Sequence, residues 1–205
     1  MGNKLFYGLA AAGIMLCSCQ SDRYQINGFA RQLEQGDTIC IVLENEPERL
    51  LGMAIVDQGK FYMTGTTETS RFCKAYLNRM KDCNASFLLE PGTIALELNL
   101  PPKPSRVSGT RLNNQWQQLN DSIQRMGSEL FRLATRKDTC DEATHRARLQ
   151  AIDSLHRRMS ACIENTARRN ADNPLGQYIE ENYKAPEFEC TRALRLFISV
   201  SQTAD

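Results

Sequence analysis

Cysteine offers the most chemistry in this chain, which holds eight of them among 205 residues. Leu16-Cys17-Ser18-Cys19 sets one directly after an aliphatic residue and two small ones. That order suits a lipid-acceptor cysteine, the pattern called a lipobox. The Cys19 thiol takes a diacylglyceryl group, a peptidase cuts after Ser18, and the new amine is acylated. Cys17 stands where Ala, Ser or Thr is usual, and is small enough to be accepted. The other six are Cys40, Cys73, Cys83, Cys140, Cys162 and Cys190, and none forms a Cys-x-x-Cys arrangement. Neither a dithiol redox motif nor a zinc knuckle is therefore expected. In an oxidising compartment some of them can pair, and buried free thiols are the competing reading.

What precedes Cys19 fits an export signal. Lys4 supplies a positive start, and Leu5 to Leu16 reads LFYGLAAAGIML, the length of a signal-peptide apolar region. A membrane-spanning helix needs about 20 apolar residues, and polar residues begin at Ser18. Residues 1–18 are expected to be removed and residues 19–23 to form a short tether. Several acyl chains of the palmitate kind on Cys19 give the multiple signals that stable anchoring requires. Few acidic residues follow Cys19, so the expected location is the outer membrane of a cell envelope, facing the periplasm.

Elsewhere the residues offer little reaction chemistry. His145 and His156 would lie about 16 Å apart on one helix, too far to share a metal, and solvated helix positions are the favoured reading. No His-Glu-x-x-His, phosphate-binding loop or Gly-x-Ser-x-Gly is present, so no catalytic residue, metal or cofactor is expected. Glu90-Pro91-Gly92 reads as a turn with an acid at a sheet end, and Trp116 as core. Tyr62, Tyr76 and Phe87 are the candidate aromatic platforms for a glycan, with core packing as the alternative. Lys plus Arg (25) and Asp plus Glu (24) nearly cancel, which points away from a nucleic-acid partner. Six arginines between Arg146 and Arg169 are interleaved with acids, the pattern of a solvated helix face.

Two kinds of element must carry these residues. Residues 24–108 read as short strands: Tyr24–Phe29, Thr38–Leu43, Leu50–Val56, Lys60–Thr66, Phe72–Asn78, Ser86–Leu89, Ile94–Leu98 and Arg106–Ser108. Asp57-Gln58-Gly59 looks like a hairpin turn and Pro91-Gly92 like another. The fold class expected is α+β, with an N-terminal antiparallel β-sandwich. Residues 109–205 change to helical period. Thr110 can cap a helix with Trp116, Leu119, Ile123, Met126, Leu130 and Leu133 on one stripe. Thr139-x-x-Glu142 has the capping-box form and opens a second, with a seam of Leu149, Ile152, Leu155 or His156, Met159, Cys162 and Thr166. Together they predict a helical hairpin, then two shorter helices: one from Asn173-Pro174 and one holding Phe188, Leu194, Phe197 and Ile198.

The layout limits disulfides. Cys140 and Cys162 would be separated by about 33 Å along one helix, against the roughly 7 Å a bridge allows. Cys73 and Cys83 flank the end of a hairpin and are the candidate pair, although register would set Cys73 opposite a residue nearer Leu89. Cys162 reaches Cys190 only if the fourth helix folds back on the second.

The order YQINGF, VDQGKFYMTG, FLLEPGTIALEL and VSGTRLNNQW resembles the N-terminal domain of Bacteroidota-type envelope lipoproteins, a domain of unknown function, family 4369. The residues carrying the resemblance are Gly28, Asp57, Gly59, Phe61, Gly65, Glu90, Pro91, Gly92, Gly109 and Asn113. Many members continue into a thioredoxin-like domain with Cys-x-x-Cys at a helix start. This sequence lacks that motif, so the resemblance does not bring redox activity with it. The functional expectation is a non-enzymatic binding or scaffolding lipoprotein, held to the membrane through Cys19, with an unidentified envelope protein as partner. The alternative is an accessory protein in periplasmic thiol–disulfide exchange, working beside a thioredoxin-like protein.

Overall fold

The computed structural model describes residues 22–135 and 141–183. Eight strands come first: β1 Arg23–Phe29, β2 Thr38–Leu43, β3 Leu50–Ile55, β4 Lys60–Thr66, β5 Arg71–Leu77, β6 Met80–Leu89, β7 Gly92–Glu97 and β8 Arg106–Ser108. Helices α1 Arg111–Thr135, α2 Glu142–Arg169 and α3 Pro174–Asn182 follow. The expected fourth helical stretch, with Cys190, lies outside the described residues, as do Cys17, Cys19 and Cys140. The class is α+β.

The strands form two four-stranded sheets, ordered β4-β1-β7-β8 and β3-β2-β5-β6. Ile26, Phe61, Ile94 and Leu96 of the first and Ile39, Ile41, Leu77 and Phe87 of the second belong to one buried core. The pairing is antiparallel except between β1 and β7, which run parallel with Ile26 beside Ile94. An all-antiparallel sandwich was the expectation. The exception follows from connectivity: the chain crosses to the second sheet twice, as β2–β3 and as β5–β6, and comes back as β4 on one side of β1 and as β7 on the other.

The Asp57-Gln58-Gly59 turn forms, with Asp57 and Lys60 exchanging two backbone hydrogen bonds at 2.8 and 2.9 Å and Gln58 at φ 49°. The expected hairpin ladder does not. Past that single bridge the strands separate into different sheets. Val56 explains this: its N–H donates to Asp37 O and its carbonyl accepts from Gly36 N. Those bonds hold the end of β3 beside the start of β2 and leave β4 to pair with β1. Pro91-Gly92 likewise carries the chain from one sheet to the other.

Two cross-strand pairs shape the β1–β4 ladder. Gly28 lies opposite Phe61 and Tyr24 opposite Gly65, so an aromatic ring covers a glycine twice, in opposite directions. A Cβ on Gly28 would come within 2.2 Å of the Phe61 ring, and one on Gly65 within 2.5 Å of the Tyr24 hydroxyl. Only glycine admits the rings at these places.

The helices attach by their ends. Only Leu112, Asn113, Trp116 and Leu119 of α1 are buried; the later stripe residues Ile123, Met126, Leu130 and Leu133 are half-buried, in the stretch that runs with α2 as a two-helix arm. The cap of α2 is Asp141, whose side chain accepts from Thr144 N at 2.7 Å, and not the predicted Thr139, which lies outside the described residues. Its buried residues are Ile152, Leu155, His156, Ile163 and Ala167. Asn173 caps α3 with Pro174 at its start, as the sequence predicts. Tyr178 of α3 stacks on Phe72 of β5 with centroids 3.6 Å apart, and the Trp116 ring meets Phe72 edge-on at 5.3 Å.

Candidate functional site

Each sheet has two edges, and the two flanks of the sandwich treat theirs differently. On one flank the edges are β6 and β8, and the first two turns of α1 seal both. The Asn113 side chain accepts from Leu88 N at 2.9 Å and donates to Leu88 O at 2.8 Å. Trp116 Nε1 donates to Ser86 O at 2.9 Å, and Gln117 Oε1 accepts from Val107 N at 2.7 Å. Side chains of a helix thus take the place of a neighbouring strand, one of the ways proteins protect an edge.

Behind this seal sits a buried polar cluster. The Thr110 hydroxyl donates to the Glu90 carboxylate and accepts from Asn113 Nδ2 at 2.7 Å. Thr110 was expected to cap α1 with its side chain; it holds the cap position, its carbonyl accepting from Asn114 N, but its hydroxyl serves Glu90 instead. The sequence marks Glu90 only as an acid beside a turn at a sheet end. Its carboxylate is an anchor for α1.

On the opposite flank the edges are β3 and β4, and apolar side chains stand in solvent there: Leu50 49%, Met53 61%, Ile55 57% and Tyr62 57% exposed. The outer face of the first sheet carries two depressions. One, of about 820 Å³, is lined by residues including Arg23, Gln25, Tyr62, Thr64 and Thr93. The other, of about 570 Å³, includes Asn27, Phe29, Ile55, Lys60 and Tyr62. Tyr62 stands between them and belongs to both. This surface offers amide, hydroxyl and cationic groups around the exposed Tyr62 ring, which suits binding and supplies no nucleophile–base pair.

The other expected platforms fare differently. Phe87 is fully buried and is core. Tyr76 is half-buried, with the Lys81 ammonium 5.8 Å from its ring centre.

The cysteines do not come together. Cys73 and Cys83 are free, as are Cys40 and Cys162, which corrects the expected pairing. Cys73 faces Phe87 across the β5–β6 ladder, a residue nearer Leu89 as register predicts, and Cys83 lies four residues further along β6, about 13 Å away. Burial pushes the Cys73 thiol up to about 12 and raises that of Cys83 too. Both are neutral near pH 7, the opposite of an activated thiolate.

His156 is buried rather than solvated, and that burial lowers its pKa against the opposing charge of Asp153. His145 Nδ1 lies 3.2 Å from Arg148. Among the described residues no cluster of His, Cys, Asp or Glu is placed to hold a metal, and no helix is long and apolar enough to cross a membrane. Another bracket, silent in the sequence, ties the outer face of the second sheet. Glu44 accepts from Lys74 at 2.7 Å and from Ser86 Oγ at 2.9 Å. Burial, with the Glu44 charge second, pushes the neighbouring Tyr178 up to about 12.

Residues 24–116 match the model of a domain of unknown function, DUF4369. They are a domain of that family. The match runs past the last strand and stops at Trp116, so the DUF4369 unit holds the sandwich and the start of the helix that seals it, with Asn113 and Trp116 but not Gln117. Its Gly28, Phe61 and Gly65 make aromatic–glycine pairing, and its Glu90 and Asn113 make the seal. No curated protein matches the chain.

Proposed function

We propose that this chain is a lipid-anchored envelope protein whose DUF4369 sandwich is a non-enzymatic binding module, tethered through Cys19 at the periplasmic face of the outer membrane. The lipobox Leu16-Cys17-Ser18-Cys19 carries the anchor. With β1 starting at Arg23, the tether is only a few residues long, so the depression that Arg23 helps to line sits near the membrane. The Tyr62 surface is the binding face in this reading, and its ligand is a segment of an envelope protein. Fractionation tests the anchor: the wild-type chain is expected in the detergent-soluble membrane fraction and Cys19→Ser outside it. An unchanged distribution would remove the anchor from the account.

The alternative is an accessory role in thiol–disulfide exchange. The raised pKa values of Cys73 and Cys83 and the burial of Cys40 count against it. Trapping of a mixed disulfide on any of these cysteines would favour it.

A further inference from the structure

The outer face of the second sheet is covered over one half only. Phe72 of β5 lies under Tyr178 of α3 and against Trp116. Among the described residues, the main helix contacts with this sheet go to β5 and β6. The other half belongs to β2 and β3. Cys40 faces Met53 and Tyr76, and Val42 faces Leu50 and Lys74; residues opposite each other on a ladder share a side. Ile55, opposite Thr38, is on that side too. Leu51 is the extra residue of a bulge, with Ile41 meeting Gly52 and Val42 meeting Leu50, and it packs against the core. Cys40 and Val42 are buried yet stand outside the core between the sheets, and Leu50, Met53 and Ile55 beside them are well exposed. An apolar surface thus lies bare on a face whose other half carries a helix.

We infer that the occupant of this bare half is the chain's own segment 184–205, which lies outside the described residues and docks there as a helix beside α3. Tyr183, where the described chain stops, is already on this face. Its ring lies 5.8 Å from that of Trp116, and burial first, then the Glu44 charge, raises its phenol pKa. Glu44 follows β2, and its N–H donates to Phe72 O. From β5 to β3 is two strand spacings, about 10 Å, which is also the distance between packed helices. Residues 184–187 reach about 13 Å when extended, and Pro186 suits the first turn of a new helix. Cys190, Leu194, Phe197 and Ile198 then follow at the i, i+4, i+7, i+8 spacing of one helix face, with Arg192, Arg195 and Ser199 opposite. Residues 188–200 would make about 20 Å of helix, the length of the six residues of β3 at about 3.4 Å each. A tethered segment meets the face at an effective concentration near the millimolar range, which favours it over a free partner or a second copy.

The docking goes beyond the anchoring and binding reading and does not rest on it, so membrane fractionation and the following test can fail separately. The full-length chain carrying Phe197→benzoylphenylalanine is purified in mild detergent, illuminated and digested with trypsin. A cross-link within one chain, to the peptide 50–60 that holds Met53 and Ile55, is expected. A link between two chains, a link to the peptide 61–71 of the first sheet, or no link within the chain would overturn the proposal. Hydroxyl-radical footprinting gives a second measurement on the full chain. Met53 is expected to oxidise several-fold faster in the Leu194→Asp, Phe197→Asp double variant than in wild type. Tyr62, on the other sheet, should react alike in both, and Phe87, in the core, should stay unreactive. Equal Met53 rates in the two proteins would also overturn the proposal.

Discussion

The Asn113 amide grips the backbone of Leu88 from both sides, accepting from its N–H at 2.9 Å and donating to its carbonyl at 2.8 Å. A residue of α1 thereby completes the hydrogen bonding of an edge strand 25 positions away. Asn113 is fully buried, so no water can substitute if the amide is lost. Asn113→Ala leaves a buried donor and acceptor unpaired, and each costs about 1–3 kcal/mol. Urea unfolding is expected to show a loss of about 2–4 kcal/mol in total. A loss below about 0.5 kcal/mol, the scale of an ordinary surface change, would mean the seal is not needed.

The Gly28–Phe61 pair predicts non-additivity. Gly28→Ala drives a methyl into the ring and is expected to cost about 1–3 kcal/mol by overpacking. Phe61→Ala costs about 3–5 kcal/mol by leaving a cavity. Because the added methyl then has room, the double variant should be more stable than the sum by about 1 kcal/mol. Simple addition in a double-mutant cycle would deny the contact.

How much of this was legible in the sequence depends on how far apart the partners are. Alternation placed all eight strands to within a few residues, apart from β6, whose polar first half hid its true start at Met80. Turn residues placed the reversals at Asp57-Gln58-Gly59 and Pro91-Gly92, but not the tight one at Asn78-Arg79 between β5 and β6. Local signals could not say which sheet each strand joins. Asp57-Gln58-Gly59 makes the same tight turn whether or not a ladder follows, and the deciding bonds come from Gly36 and Asp37, twenty positions away. Asn173-Pro174 was readable because a cap acts on its own helix. The seal was not, since an asparagine in a helix carries no mark of the strand it will complete.

Arg106 and Asp121 join β8 to α1 through two hydrogen bonds of 3.0 and 2.7 Å. Those bonds, outweighing a small desolvation effect, hold the Asp121 carboxyl below its usual range. A carboxylate with a depressed folded-state pKa adds stability that is fully present above its unfolded value, near 3.9, and is lost as pH falls through the folded value. The pair is a third to nearly half exposed, so Asp121→Asn should cost only about 0.5 kcal/mol at pH 7. The difference between the two proteins should narrow as pH falls below the unfolded value and through the lower, folded one. A difference that grows on acidification would contradict the assignment.

Cys40, Cys73 and Cys83 are buried and Cys162 half-buried. Under native conditions iodoacetamide is expected to label Cys162 fastest of these four, and the other three only at the rate of unfolding. Mapping by peptide mass checks this. Rapid labelling of Cys73 at pH 7 would revive the thiol-exchange reading.

Tyr62 separates binding from stability. With 57% of its surface exposed, Tyr62→Ala should shift stability by no more than about 0.5 kcal/mol. Recovery of the envelope protein that wild type brings down from detergent extracts should fall at least tenfold. If recovery is unchanged, the binding face lies elsewhere.

The lipid anchor is the claim from which location and orientation both follow, and the mass of the mature amino-terminal peptide tests it most directly. Cleavage before Cys19 with thioether-linked diacylglycerol and an acylated amine predicts a peptide that begins at Cys19 and carries the mass of those chains. A peptide that begins at Met1, or at any residue other than Cys19, or an unmodified Cys19, would contradict the account.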